Sequence, residues 1–182
     1  MDLYTFLILV HTIGAVLGVG GATMSDLLFF KSVKNLKISK TEMKFLELGS
    51  YQIWAGLVLT IFSAFSFWIF FPAVAQAPKI LAKTTIFLVI LVNGIFLNLW
   101  VTPFLKKHLE VNLAESQSFR KARTILFSSG AVSILSWYYV LVLGAWRNLE
   151  ASYRVLIGMY LALLLVAVVC SNFIGRYKLR KR

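Results

Sequence analysis

One histidine lies inside a long apolar segment, where an imidazole could do chemistry. Small residues follow His11 at helical spacing on one face, namely Gly14, Ala15, Gly18 and Ala22. Such a stripe lets another helix, or a flat ligand, approach the backbone closely. An imidazole beside such a groove is suited to be the axial ligand of haem iron. His11 is therefore a candidate metal ligand, and Gly14 and Gly18 would form the helix face that contacts the porphyrin. The alternative is a neutral histidine hydrogen-bonded between packed helices.

Lys83 is the second candidate for a cofactor site. It lies near the start of the third apolar segment, so its depth should match that of His11 within about two helical turns. Its ammonium could pair with an anionic group such as a propionate, or its neutral amine could bind a metal. The alternative is a lysine that snorkels to the membrane surface.

Two acidic residues define a different kind of candidate site. Ionisable groups inside membrane spans are costly and therefore suggest function. Asp26 lies near the end of the first apolar segment and Glu47 near the start of the second. Both are expected to pair with lysine or arginine at the membrane surface. Together with Asn93 and Asn98, they outline a polar path for a proton, cation or small solute. The simplest role for the asparagines is hydrogen bonding between helices.

The inventory of metal ligands and motifs limits the chemistry further. His108 follows Lys106 and Lys107 in a loop, about a membrane thickness from His11, so the two histidines cannot share one haem. A single cysteine, Cys170, excludes a disulfide within the chain and a dithiol redox centre. The sequence contains no Walker loop, GxSxG elbow, HExxH helix or calcium loop.

Composition shows which elements must position these residues. The chain has 182 residues, of which 59% are hydrophobic and 14% charged. A charged share near half the usual value excludes a typical soluble enzyme. Each spanning helix needs roughly 20 apolar residues, and five segments qualify. They are Leu3–Phe30, Phe45–Phe71, Ile80–Leu105, Ile125–Trp146 and Val155–Ile174. We therefore predict an all-α fold, a polytopic membrane protein whose single domain is a five-transmembrane-helix bundle.

The placement of positive charge predicts the orientation of this bundle. Fifteen of the nineteen lysines and arginines lie in the first loop, the third loop and the C-terminal tail. The positive-inside rule then places the N-terminus outside and the C-terminus inside. The net charge of +12 therefore indicates topology and contact with anionic lipid, and no nucleic-acid partner is expected. The long connection around Lys106–Arg123 is expected to form a short surface helix.

Aromatic residues gather near the predicted outer ends of the spans. Tryptophan and tyrosine are enriched at the two membrane–water interfaces. This pattern predicts an aromatic belt made of Trp68, Trp137, Tyr138, Tyr139 and Trp146.

Two segments resemble a loose group of small bacterial membrane proteins. The segment from His11 to Gly21, HTIGAVLGVGG, resembles the opening helix of that group. The segment from Lys83 to Gly94, KTTIFLVILVNG, resembles its lysine-led third helix. The group includes the HemJ-type protoporphyrinogen oxidases and the CopD copper-resistance membrane domain, and the chain looks closest to a five-span branch. The resemblance implies that His11 and Lys83 serve a b-type haem.

These observations lead to one leading hypothesis and two alternatives. The leading hypothesis is a haem-binding redox protein of the bacterial cytoplasmic (inner) membrane, active in electron transfer or porphyrinogen oxidation, with a redox partner. The first alternative is a transporter or channel component that carries a small solute or ion past Asp26 and Glu47. The second is a structural or assembly subunit, in which the glycine stripe is a helix contact. A homo-oligomer is compatible with each.

Overall fold

Five long helices make up most of the computed structural model, which describes residues 1–146 and 148–180. They are α1 (Leu3–Lys34), α2 (Lys40–Phe70), α3 (Pro78–Lys106), α4 (Gln117–Ala145) and α5 (Tyr153–Arg180). A one-turn helix, Pro72–Ala75, links α2 to α3, and α3 contains a π-helical turn at Leu97–Val101. Each long helix is long and apolar enough to cross a membrane, and the described residues contain no strand. The all-α, five-helix prediction is therefore confirmed.

Capping side chains set where three of the helices begin. The Asp2 carboxylate accepts a hydrogen bond from the Thr5 backbone N–H at 2.7 Å and starts α1. Ser39 and Glu42 form a reciprocal capping box at the start of α2. Ser116 caps α4, which therefore begins at Gln117 rather than at the apolar boundary near residue 125. The prediction of a short surface helix around Lys106–Arg123 is thus wrong, because residues 117–123 form the first two turns of α4.

The lysine-rich loops meet at one end of the bundle, which we call the basic end. Ile38 and Leu109 form a parallel bridge between the α1–α2 loop and the α3–α4 loop. The Lys37 ammonium lies 2.6 Å from a carboxylate oxygen of Glu110. That contact holds the pKa of Glu110 below its usual range. Successive helices cross a membrane in opposite directions, so the α1–α2 and α3–α4 loops must lie on the same side of it. The contacts between the two loops agree with this requirement. The N-out orientation itself stays a prediction, and Arg147, Lys181 and Arg182, which it counts, lie outside the described residues.

α1 and α2 pack with their backbones almost in contact. A Cβ atom added to Gly56 of α2 would lie 2.6 Å from the Gly14 carbonyl oxygen and 2.7 Å from the Gly18 nitrogen. Small residues on both helices therefore permit this approach. α4 lies at the centre of the bundle and packs against α1, α3 and α5. Four hydrogen bonds join it to α5: Ser136–Tyr160, Tyr139–Leu156, Phe127–Ser171 and Ser128–Asn172.

The outer surface of the bundle is apolar along most of its length. Large side chains on it include Val16, Val58, Phe65, Leu99 and Leu165, each more than 60% exposed. Soluble proteins rarely expose apolar patches of this extent, whereas a lipid environment favours them. The chain is therefore a multi-pass membrane protein whose surroundings are a lipid bilayer.

The predicted aromatic belt is only partly correct. Trp68, Tyr138 and Trp146 are exposed, but Trp137 is 2% exposed and lies inside the bundle. Tyr139 is also buried, and its hydroxyl donates to the Leu156 carbonyl at 2.7 Å. The position of an aromatic residue along a span gives its depth, but the helix face decides whether it meets lipid or protein.

Candidate functional site

His11 is held by a serine of the neighbouring helix. Its Nδ1 atom lies 2.9 Å from the Ser63 hydroxyl oxygen. Ser63 donates its single proton to the Thr60 carbonyl at 3.0 Å, so the same oxygen accepts from His11. This chain of bonds places the ring proton on Nδ1 and leaves the Nε2 lone pair unprotonated. His11 thus joins α1 to α2 and keeps one nitrogen that could accept a proton or bind a metal.

Lys83 lies in the same half of the bundle as His11. The two side chains are close enough to interact electrostatically. The Lys83 ammonium also approaches α4, since it would lie 3.6 Å from a Cβ atom added to Gly144. Within residues 1–146 and 148–180, no carboxylate forms an ion pair with it. The structure therefore brings His11 and Lys83 to one region but not into direct contact through a hydrogen bond.

The glycine face that was expected to receive a porphyrin is filled by protein. A Cβ atom added to Gly14 would lie 2.7 Å from the Thr60 hydroxyl and 2.9 Å from the Gly56 carbonyl. A Cβ atom on Gly18 would overlap the indole ring of Trp137. Both glycines therefore serve helix packing here, and they leave no open face for a flat macrocycle. Haem binding itself stays a prediction.

The second histidine lies far from the first. His108 is at the basic end, where Nδ1 lies 2.8 Å from the Phe104 carbonyl and Nε2 lies 2.7 Å from the Ser118 hydroxyl. Both ring nitrogens therefore already have partners, and His108 contributes nothing to a site at His11.

A cavity of about 110 Å³ lies between α1, α2, α3 and α4. Its polar lining comes from all four helices: Ser25, Asp26, Ser50, Thr102 and Ser133. The rest of the lining is mostly apolar, with Trp137 on the side away from the basic end and Leu105 on the side near it. This volume has room for several water molecules, since one water needs about 10–15 Å³ of it.

The carboxyl group of Asp26 has no partner in the part of the chain that the structure describes. Its Oδ2 atom is buried and makes no hydrogen bond. The three ion pairs among the described residues are Lys31–Glu42, Lys37–Glu110 and Lys106–Glu47. The expected pairing of Asp26 with lysine or arginine is therefore wrong. Asp26 lies two helical turns inside the end of α1, facing Gly130 of α4, and no cation of the basic end pairs with it.

The other residues of the proposed polar path lie outside this cavity. Glu47 pairs with Lys106 at 2.6 Å, as its position at the membrane surface predicted. The Asn93 amide donates to the Ser129 carbonyl at 3.0 Å and joins α3 to α4. Asn98 is exposed on the outer face of the π-helical turn. Of the four residues, only Asp26 lines the cavity.

Sequence reasoning missed the hydroxyl residues of the cavity and the turn that shapes it. Leu97, Val101 and Thr102 line the cavity, and the π-helical turn brings them there. Pro103 follows this turn and lacks a backbone N–H, so regular α-helical bonding is interrupted there. Pro103 was the residue in the sequence that could have indicated this turn. The turn matters because π-helical turns inside helices often occur at functional sites.

Comparison with protein-family models, with curated proteins and with solved structures finds no match to this chain. The fold and the cavity therefore define its class: a five-helix membrane protein in which a carboxyl group without a partner among the described residues lines a cavity between four helices.

Proposed function

We propose that this chain is a transport component of the bacterial cytoplasmic membrane that carries a small solute or ion. Asp26 is the group that binds the cargo. The observation that carries this proposal is the buried Oδ2 atom of Asp26, which faces a cavity and has no partner among the described residues.

The energetic cost of this arrangement argues for a role in binding. A carboxylate inside a membrane span is costly, by about 2.5–3.5 kcal/mol at the helix centre and by less towards the helix end, where Asp26 lies. A residue that only joined helices would be paired, as Asn93 is with the Ser129 carbonyl. An acid without a partner is suited to accept a proton or a positively charged cargo that comes and goes.

The surroundings of Asp26 also suit transport. Transporter sites are commonly formed by interrupted helices that line a cavity. Here the π-helical turn of α3 lines the cavity opposite α1. Trp137 and Leu105 lie towards its two ends, so movement of either side chain would open a path to one membrane surface.

Haem-linked electron transfer is the second candidate. The unprotonated Nε2 atom of His11 favours it, because metal-bound histidines are usually oriented by a hydrogen bond at the other nitrogen. The filled faces of Gly14 and Gly18 count against it. The same contacts weaken the assembly-subunit hypothesis, since these glycines pack within this chain and present no surface to a partner.

Flux measurements test the transport proposal. The purified chain is reconstituted in liposomes, and three probes are followed separately: protons with a trapped pH dye, alkali-metal cations (sodium, potassium and lithium) with trapped ion-sensitive dyes, and radiolabelled methylamine. We expect flux of at least one probe above that of empty liposomes, with a loss of tenfold or more in Asp26→Asn. The matched control is Glu115→Gln, which removes a carboxylate from the loop between α3 and α4, outside the cavity. Absence of flux for all three probes, or equal flux in Asp26→Asn, overturns the proposal.

A further inference from the structure

We propose that the Asp26 cavity binds a single alkali-metal cation, held between the carboxylate and a set of serine and threonine hydroxyls. This inference rests on the proposed function and narrows its cargo, or the ion that drives it, to one chemical class. Three properties of the cavity carry it: the volume, the number of charges and the arrangement of oxygen atoms.

The volume of the cavity favours a small cargo. Pockets for organic ligands have volumes of roughly 300–1,000 Å³. This cavity has about 110 Å³ and is bounded by large side chains such as Trp137, Phe29 and Trp54. An alkali-metal ion with two or three water molecules fits that space.

The charge of the lining selects a monovalent ion. Among the described residues that line the cavity, Asp26 is the only acidic one. Within the described residues, no group of three or more histidine, cysteine or acidic side chains could hold a metal ion. Calcium and magnesium sites generally use more than one carboxylate or a bound phosphate. One carboxylate neutralises one positive charge, so the loaded site would be electrically neutral inside the membrane.

Residues with hydroxyl groups line the same cavity as the carboxylate, and they come from all four helices. Ser25 belongs to α1, Ser50 to α2, Thr102 to α3 and Ser133 to α4. None of these hydroxyls makes a hydrogen bond with any residue that the structure describes, and the Ser25 oxygen is completely buried. Several hydroxyls elsewhere in the spans bond back to their own helix, as Ser66 does with the Phe62 carbonyl at 2.9 Å, although the buried Thr60 hydroxyl also lacks a partner among the described residues.

Of these four hydroxyls, that of Ser25 is fully buried without a partner, which is costly unless water or an ion completes its hydrogen bonding. A bare proton would need only the Asp26 carboxylate and would leave the four hydroxyls without a ligand. Oxygen atoms are the ligands that hard cations prefer, and waters in the remaining space would complete the shell. The arrangement therefore favours an alkali-metal ion over a proton alone.

Chemical labelling of Asp26 tests this inference without measuring transport. Dicyclohexylcarbodiimide reacts with protonated carboxyl groups in apolar surroundings, and mass spectrometry of the digested full-length chain locates the label. Sodium, potassium or lithium chloride is added at constant pH, with choline chloride keeping the ionic strength fixed. We expect labelling at Asp26, reduced at least fivefold by one of these cations. Equal labelling in every salt overturns the inference, because Asp26 would then bind protons only.

Hydroxyl variants show whether the cation uses the proposed ligands. Ser50→Ala and Ser133→Ala should each raise the cation concentration needed for half-protection by several fold. Ser66→Ala is the matched control, since it removes a buried hydroxyl of α2 outside the cavity. Equal protection in all three variants would also overturn the assignment, because the hydroxyls would then take no part.

The two experiments fail in distinguishable ways. Cation protection of Asp26 without flux would leave the binding site in place and remove transport. Asp26-dependent flux of protons or methylamine, with no cation protection, would keep transport and remove the alkali-metal site.

Discussion

The indole ring of Trp137 occupies the space beside Gly18 in which a side chain would otherwise lie. This contact joins α4 to α1 between the two groups of polar residues. His11 and Asp26 are fifteen residues apart on α1, or about 22 Å along the helix. The ring lies between them and also lines the cavity of Asp26. Trp137 therefore separates the His11 region from the Asp26 cavity.

Adding a methyl group at position 18 should destabilise the bundle. In Gly18→Ala the new Cβ atom would overlap a ring that is 2% exposed and has little room to move. Overpacking of this kind costs about 1–3 kcal/mol. We expect a melting temperature in detergent several degrees below that of the parent chain, measured by intrinsic fluorescence.

Gly158→Ala is the matched control for this variant. A Cβ atom there would have no neighbour within 4 Å, and alanine favours helix formation over glycine. Its melting temperature should be equal to or above that of the parent. If Gly18→Ala has the same melting temperature as Gly158→Ala, the Trp137 ring does not pack tightly against Gly18.

The sequence predicted the five helices because apolar runs near 20 residues match the thickness of the hydrocarbon core of a bilayer. It also identified Asp26 as costly, but it paired that residue with a cation that the structure does not provide. Which face of α4 meets α1 depends on tertiary packing, so neither Trp137 beside Gly18 nor the cavity could be derived from spacing. Nothing in the sequence distinguishes Ser50 and Thr102 from other polar residues of the spans, because only the packing of four helices places them in one cavity.

The visible absorption spectrum separates the transport and haem hypotheses. A porphyrin on His11 needs an open face on α1, whereas Gly14 and Gly18 are covered by Thr60 and Trp137. We therefore expect protein purified from haem-replete cells to show no Soret band before or after dithionite. A Soret band that disappears in His11→Ala would contradict this prediction. It would also show that Trp137 moves aside when the cofactor binds.

Stability should depend on pH through the two loops at the basic end. The Lys37 ammonium, followed by the Lys40 backbone N–H, holds the pKa of Glu110 below its usual range. Because the folded value is the lower one, the carboxylate stabilises the fold at neutral pH. That contribution should disappear as the pH falls from the unfolded value, near 4.3, through the folded value.

Glu110→Gln shows whether this loop contact is responsible. At neutral pH the variant should melt below the parent, and the difference should vanish as the pH falls from about 6 to about 3. Because both side chains are exposed, the difference should also shrink in high salt. A difference that stays constant across this pH range would mean that the charge of Glu110 is irrelevant.

The ion pair between Glu47 and Lys106 joins two walls of the cavity at the basic end. Its atoms lie 2.6 Å apart, and the neighbouring residues Leu46 and Leu105 both line the cavity. Removing the pair should let α2 and α3 separate more often and expose Thr102 from that side. Partly exposed pairs contribute roughly 0–1 kcal/mol, so the gain in exposure should be at most about fivefold.

Cysteine accessibility measures this gain directly. Thr102→Cys is placed in a Cys170→Ala background, and a membrane-impermeant thiol reagent is added from the basic end. Glu47→Gln should speed the modification, and the exchanged pair Glu47→Lys with Lys106→Glu should return it towards the parent rate. Glu110→Gln, which breaks a different ion pair at the same end, is the control and should leave the rate unchanged. If the exchanged pair reacts as fast as Glu47→Gln, the attraction between these charges does not hold the cavity closed.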